Sequence, residues 1–330
     1  MKGKKMSIWS SNKLLSEWME DNWKNILETE LDYFTPEPRT DPLVQALSDS
    51  LGIDKSNIFV AAGTNQLIHS IFNYNKWDEI FVMNPDYGLY ESILKNCSSN
   101  QQYNIINEKN ICEFFIKLRK LNSSENDLLC ISSPRWFDGI QIDVSEIMKL
   151  LENFNGTILI DEAYIDYSSK SVDTMTLANT NSRIILTRSF SKGYFLPGLR
   201  VAYAISTGFN EKFRLGGIVP HSIATPSSKF VVKLLEQKNI LNAFTKMQNK
   251  IRSIRTDLIN SLSTLEDVWV SNSEANFITF KLENRGDDFI SKNVVPIHKV
   301  GEGYYKYWIT NDRESQMFLN NVIEHCKEYE

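Results

Sequence analysis

Between residues 57 and 205, short apolar runs alternate with amphipathic stretches, and this alternation constrains the fold more than any other feature of the chain. Residues 57–62 (NIFVAA), 79–83, 102–106 and 127–132 (DLLCIS) read as strands. Residues 64–74 (TNQLIHSIFNY), 87–96, 111–121 (ICEFFIKLRKL) and 144–154 read as the helices between and after them. Residues 157–160 (TILI), 183–187 (RIILT) and 199–205 (LRVAYAI) are apolar on successive positions, as buried strands are. Strands separated by helices in this order pair largely in parallel, and such a sheet carries helices on both faces.

The pattern changes after about residue 208. Residues 227–265 read as one long helix, broken or bent near 238–242. Strand-like segments follow at 277–282 (FITFKL) and 304–309, and a last helix at 313–327. These elements suit a smaller α+β domain. The expected division is therefore an N-terminal arm at 1–40, a large sheet domain at 41–210, and a small domain with its connecting helix at 211–330. The segment before Pro36 does not start the sheet and is expected to pack with the C-terminal part.

Composition excludes several function classes. Lys and Arg number 36 against 41 Asp and Glu, a net charge of −5, which gives no pull toward nucleic acid or an anionic membrane. No apolar stretch is long enough to cross a bilayer. The opening MKGKKMSIWSSNK lacks the apolar core and cleavage site of a secretion signal. Cysteines and histidines, four of each, are scattered without metal-ligand spacing. A cytoplasmic protein with reduced thiols and no metal is expected. No GxGxxG follows a strand, since Gly301-Glu302-Gly303 lies in a late loop, so a nicotinamide dehydrogenase is disfavoured.

Ligands of open α/β sheets bind beyond the carboxyl ends of the strands, and four polar clusters fall there. Gly63-Thr64-Asn65-Gln66 is a glycine turn opening a helix, whose free N–H groups suit a phosphate, although many ordinary helix starts look the same. Asp161-Glu162-Ala163-Tyr164 follows TILI. A carboxylate at the end of a buried strand needs a cationic partner or donors; Asp161 either caps a turn or pairs with a protonated ligand nitrogen. Ser189-Phe190-Ser191-Lys192-Gly193 follows RIILT. Lysines are ordinarily solvated, but desolvation at a sheet mouth lowers the pKa and frees the amine for Schiff-base chemistry. Arg200 is either a surface or ion-pair residue or a guanidinium fork on phosphate. In this order the four describe one cofactor, with a phosphate, a basic ring nitrogen and an aldehyde: pyridoxal 5′-phosphate (PLP).

The chain resembles the fold-type I PLP-dependent aminotransferases of class I/II, in particular the histidinol-phosphate aminotransferase branch. The resemblance runs from about Tyr33 to Leu319. It rests on RSFSKGYFLPGLRVAY (188–203), ILIDEAYIDY (158–167), NPDYGLYE (84–91), AAGTNQLI (61–68) and SEANFITF (273–280). It implies an α/β fold in which a large domain holds a mostly parallel seven-stranded sheet and a smaller α+β domain follows. It implies that Lys192 carries the cofactor as an internal aldimine and shuttles a proton, that Asp161 keeps the pyridine nitrogen protonated, and that Tyr164 donates to the ring oxygen. Tyr87 would stack on the ring. Gly63, Thr64, Asn65, Ser189, Ser191 and Arg200 would surround the phosphate. Tyr33 would reach the partner subunit's phosphate, making a homodimer. The implied activity moves an amino group from an amino acid donor to a small keto or aldehyde acceptor.

Three departures bear on the substrate. The branch's asparagine that donates to the ring oxygen falls on Trp136, in Ser133-Pro134-Arg135-Trp136-Phe137-Asp138-Gly139; Trp136 is either packing or, with Arg135, a reshaped site. Its substrate-gripping arginine falls on Lys306, a point charge without the bidentate fork, and its following glycine falls near Thr310. Ser10-Ser11-Asn12 only faintly resembles the substrate loop, leaving Asn12 as a candidate substrate contact. A decarboxylase of a phosphorylated amino acid and a catalytically silent binding protein stay open as alternatives.

Overall fold

The computed structural model describes residues 38–73, 77–96, 102–170, 173–208, 221–283, 286–292 and 297–328. Tyr33 and Asn12 lie outside them, as does the N-terminal arm before Pro38.

The first helix, α1 (Asp41–Leu51), has Pro42 in its opening turn and ends on Gly52 in the left-handed conformation. Seven strands then form one sheet: β1 (Ile58–Ala61), β2 (Glu79–Asn84), β3 (Gln102–Asn107), β4 (Leu128–Ser132), β5 (Thr157–Asp161), β6 (Ile184–Ser189) and β7 (Ala202–Ile205). Their order is β1-β7-β6-β5-β4-β2-β3. Between them run α2 (Thr64–Phe72), α3 (Gly88–Asn96), α4 (Ile111–Leu118), α5 (Val144–Asn153) and α6 (Thr174–Thr180). Alternate strand residues enter two separate cores, one on each face. Ile158 and Ile160 belong to one, and Leu159 to the other. That two-sided burial is why these strands read as unbroken apolar runs.

β2 through β6 pair in parallel, but β7 runs antiparallel to both β6 and β1. The reason lies in the connection. No helix crosses the sheet between Ser189 and Ala202, so the chain returns alongside the strand it left. β7 is also shorter than the run 199–205 predicts. Pro197–Leu199 forms a 3₁₀ turn, and Arg200 follows at φ 53°, in the left-handed region that is rare for a residue with a β-carbon.

The second part begins with α7 (Thr225–Glu236) and α8 (Lys238–Leu262), which meet at Gln237 (φ −99°, ψ 83°), one residue ahead of the expected break. An antiparallel sheet of order β10-β11-β9-β8 follows, built from β8 (Val268–Val270), β9 (Phe277–Leu282), β10 (Ile297–Gly301) and β11 (Tyr304–Trp308). α9 (Gly286–Lys292) and α10 (Asp312–Lys327) complete it. No helix of the described residues is long and apolar enough to cross a membrane.

Candidate active site

A cavity of about 340 Å³ opens at the carboxyl ends of the central strands, and residues from all four polar clusters line it. Asp161 is the last residue of β5 and is almost fully buried. Its Oδ2 accepts from Tyr90 Oη at 2.9 Å and its Oδ1 from Thr187 Oγ1 at 3.0 Å. Burial dominates its titration and pushes the carboxyl up to about 6, while these two donors pull it down. Tyr90 and Thr187 are site residues that the sequence motifs do not single out. Tyr90 is the aromatic of a core helix, and Thr187 ends an apolar run. The signal available was only that a strand-end carboxylate needs donors.

Lys192 lies three residues beyond β6, with its Nζ 5.5 Å from the ring centre of Tyr164 and 5.8 Å from that of Trp308. Burial, reinforced by Arg200, lowers its amine to about 8, and Asp161 opposes the shift. Tyr164 is buried, its ring edge-on to Phe277 at 5.3 Å; burial first, then Tyr87 and Asp161, pushes its hydroxyl upward. Tyr87 stands edge-on to Tyr90 at 5.6 Å, and its hydroxyl donates to Asn65 Oδ1 at 3.2 Å.

The phosphate candidates also converge. α2 begins at Thr64 immediately after Gly63 (φ 89°), so the N–H groups of Thr64 and Asn65 have no intrahelical acceptor, while the Gln66 N–H donates to the Gly63 carbonyl at 3.1 Å. Arg200 Nη1 lies 3.5 Å from Ser191 Oγ, and the Ser191 N–H donates to Ser189 Oγ at 3.0 Å.

Two candidates stand apart. Lys306 does not line the cavity. Its amine is fully buried behind Trp136, 3.5 Å from that ring's centre, and donates to the Trp136 carbonyl. Arg135 is also withdrawn, its fork spent on Asp138 at 3.0 and 2.6 Å and on the Lys109 carbonyl at 2.7 Å. Of that reshaped pair, only Trp136 reaches the cavity wall.

The model of the family "aminotransferase class I and II" matches residues 6–293. The chain belongs to this family. A histidinol-phosphate aminotransferase of Caldanaerobacter subterraneus subsp. tengcongensis is 25% identical over 254 residues, covering 76% of this chain and 71% of the relative. The histidinol-phosphate aminotransferase of Sinorhizobium meliloti in complex with pyridoxal-5′-phosphate superposes with a TM-score of 0.74 at 15% identity, covering 92% of this chain and 86% of that one. L-threonine-O-3-phosphate decarboxylase of Porphyromonas gingivalis does so with 0.75 at 18% identity, covering 96% of each chain. These two structures share the fold.

Members of the family use PLP, and the cavity can be tested for it. A buried carboxylate at its floor calls for a cation, which a protonated ring nitrogen supplies. An amine of lowered basicity faces the same space. An arginine packs against a bare glycine beside a helix start, a setting for a phosphate. The residues fit the group.

Proposed function

We propose that this chain transfers an amino group from an amino acid donor to a small keto or aldehyde acceptor, with Lys192 as the reacting amine. One observation carries the reading: the Asp161 carboxylate and the Lys192 amine open onto one cavity, each shifted toward neutrality by burial. When bound, PLP supplies an aldehyde for the substrate nitrogen and a ring that accepts electron density from the adjoining carbon.

Around it each side chain has one task. Asp161, oriented by Tyr90 and Thr187, would hold the ring nitrogen protonated. Tyr164 would donate to the ring oxygen, and Tyr87 would cover a ring face. The first N–H groups of α2, with Ser189, Ser191 and Arg200, would hold the phosphate. Lys192, unprotonated above about pH 8, would take a proton from the substrate α-carbon and return it two bonds away, to the cofactor carbon on the far side of the substrate nitrogen. The rings of Tyr164, Trp136 and Trp308 that line the cavity would keep water from that proton.

The test is a single turnover of the PLP-loaded protein with a panel of amino donors. A keto acid formed one-for-one with bound cofactor is expected, and Lys192→Ala should form none. Carbon dioxide in place of keto acid would replace this reading with decarboxylation.

We also infer a cytoplasmic homodimer in which Tyr33 completes the partner's phosphate site, supported by the family resemblance of the segment at Tyr33. Mixing Tyr33→Phe with Lys192→Ala protein should restore part of the activity if sites are shared. No recovery would refute sharing.

A further inference from the structure

The loop that carries Trp136 is stitched to the small sheet through its carbonyls. Trp136 C=O accepts from Lys306 on β11, Phe137 C=O from Thr279 Oγ1 on β9 at 2.6 Å, and Gly139 C=O from the Glu274 N–H at 2.7 Å. Toward the large sheet, the Trp136 N–H donates to Ser132 Oγ at 2.9 Å and Asp86 Oδ1 at 3.3 Å. Gly139 sits at φ 74°, where a β-carbon would fall 1.9 Å from Ser273 Oγ, so the loop has no slack at its end.

The backbone so fixed sets the indole. One face covers the Lys306 amine, which also lies 4.0 Å from the Phe277 ring centre and 5.4 Å from that of Trp308. The indole also borders the cavity, 6.1 Å from Tyr87. Trp136 and Trp308 pack on the cluster of Tyr164, Ala275 and Phe277, making one aromatic wall. Among the described residues the cations lining the cavity are Lys192 and Arg200. Arg200 is committed to the Gly63 side, and Lys192 to the reaction. Among the described residues, a carboxylate or phosphate turned to this wall would lose its water and meet neutral hydroxyl and indole N–H donors but no uncommitted cation. An apolar or aromatic group would gain buried area and ring contacts.

Resting on the transaminase reading above, we propose that Trp136 is a specificity residue that admits an apolar or aromatic side-chain group of the substrate, and not a side-chain carboxylate or phosphate, to the Trp136–Trp308 wall, with Lys306 a positioning residue that clamps Trp136 without touching substrate. Burial also drives the Lys306 amine well below the ordinary lysine range, with Asp86 and Asp138 opposing the shift.

The experiment uses the PLP-loaded protein and two primary amines without a carboxylate, 2-phenylethylamine and 2-aminoethyl phosphate. Dissociation constants are read from the change in the cofactor's visible band before any turnover. Wild type should bind phenylethylamine about tenfold or more tightly than aminoethyl phosphate, the size of an unpaired-anion penalty near 1.4 kcal/mol. Trp136→Asn should uncover Lys306 and raise affinity for aminoethyl phosphate about tenfold. Trp136→Asn/Lys306→Met should abolish that gain. Lys306→Met alone, whose thioether fills the aromatic box but loses the bond to the Trp136 carbonyl, should keep the wild-type order while weakening phenylethylamine binding severalfold.

Wild type preferring aminoethyl phosphate overturns the proposal without any variant. So does a loss of aminoethyl phosphate affinity in Lys306→Met alone, which would mean direct contact. A protein that shows the expected binding order yet forms no keto product upholds the wall and sinks the transaminase reading.

Discussion

A β-carbon placed on Gly63 would stand 2.2 Å from Nη2 of Arg200. The guanidinium fills the space that a side chain at Gly63 would take, which places it beside the first turn of α2. Both residues hold backbone angles that disfavour a side chain, φ 89° at Gly63 and φ 53° at Arg200. Gly63→Ala should strain the turn and displace the guanidinium together. Cofactor affinity, measured by equilibrium dialysis, should fall by about tenfold or more, that is about 1.4 kcal/mol. Because part of the Gly63→Ala loss acts through this contact, adding Gly63→Ala to Arg200→Ala should cost less than Gly63→Ala does alone. Full additivity would show that the contact does not govern the phosphate end.

Tyr90 is the second test of the site's wiring. Its hydroxyl donates to Asp161 Oδ2, and loss of a donor to a buried carboxylate raises that carboxyl's pKa. Tyr90→Phe should therefore move the Asp161 midpoint upward from about 6. A rise of about one pH unit corresponds to about 1.36 kcal/mol, a usual worth for such a bond. The pH dependence of cofactor association reports it. An unmoved midpoint would leave Tyr90 as a core aromatic and nothing more.

The particular residues explain what was legible in the sequence. β5 and β6 are buried on both faces, so TILI and RIILT announce themselves, and the polar residues that follow must sit at the sheet mouth. Asp161 and Lys192 are visible for that reason, and Arg200 because it stands just ahead of the next apolar run, β7. β10 reads IHKVG and is an edge strand whose residues are half-exposed, so it carries no apolar run. The direction of β7 depends on what a loop omits, a crossover helix, rather than on its own residues. Tyr90 reaches Asp161 across 71 positions and Lys306 reaches Trp136 across 170. Partners that far apart are fixed by the tertiary fold, and local periodicity carries no trace of them.

Asp161 also sets a pH dependence of stability in the protein free of cofactor. Its folded carboxyl titrates near 6, above the usual 3.8. Between those values the folded state binds the proton more tightly than the unfolded state, so stability falls as pH rises through this window. Above pH 6 the cost of ionising the buried carboxyl is fully present, about 3 kcal/mol given the separation of the folded and unfolded midpoints. Asp161→Asn should therefore raise the melting temperature of the cofactor-free protein at pH 8, and the gain should shrink toward pH 4. The same substitution should weaken cofactor binding, because the ring nitrogen loses its counter-ion. A cofactor-free variant that melts no higher than wild type at pH 8 would show that water or a nearby cation already relieves the carboxylate.

The amine of Lys192 is held from its backbone outward. Its carbonyl accepts from Tyr167 Oη at 2.7 Å and from the Phe195 N–H at 3.0 Å, and the Gly193 carbonyl accepts from Gln248 Nε2 at 2.9 Å. Gln248 is buried on α8, so the helix that links the two sheets also grips the reactive segment. Gly193 has no room for a β-carbon, which would fall 2.1 Å from Asp166 Oδ2. Desolvation keeps the amine near 8, so the free base grows as pH rises through 8. Cofactor capture by the empty protein, followed as growth of the visible band, should accelerate with pH around that midpoint. Gln248→Ala should loosen the segment, admit water and move the midpoint upward toward ordinary lysine. Capture at about pH 7.5 should then slow by about three- to tenfold, in step with the fraction of free amine. An unmoved midpoint with slower capture would mean that Gln248 supports packing and leaves the amine's environment to Tyr164 and Trp308.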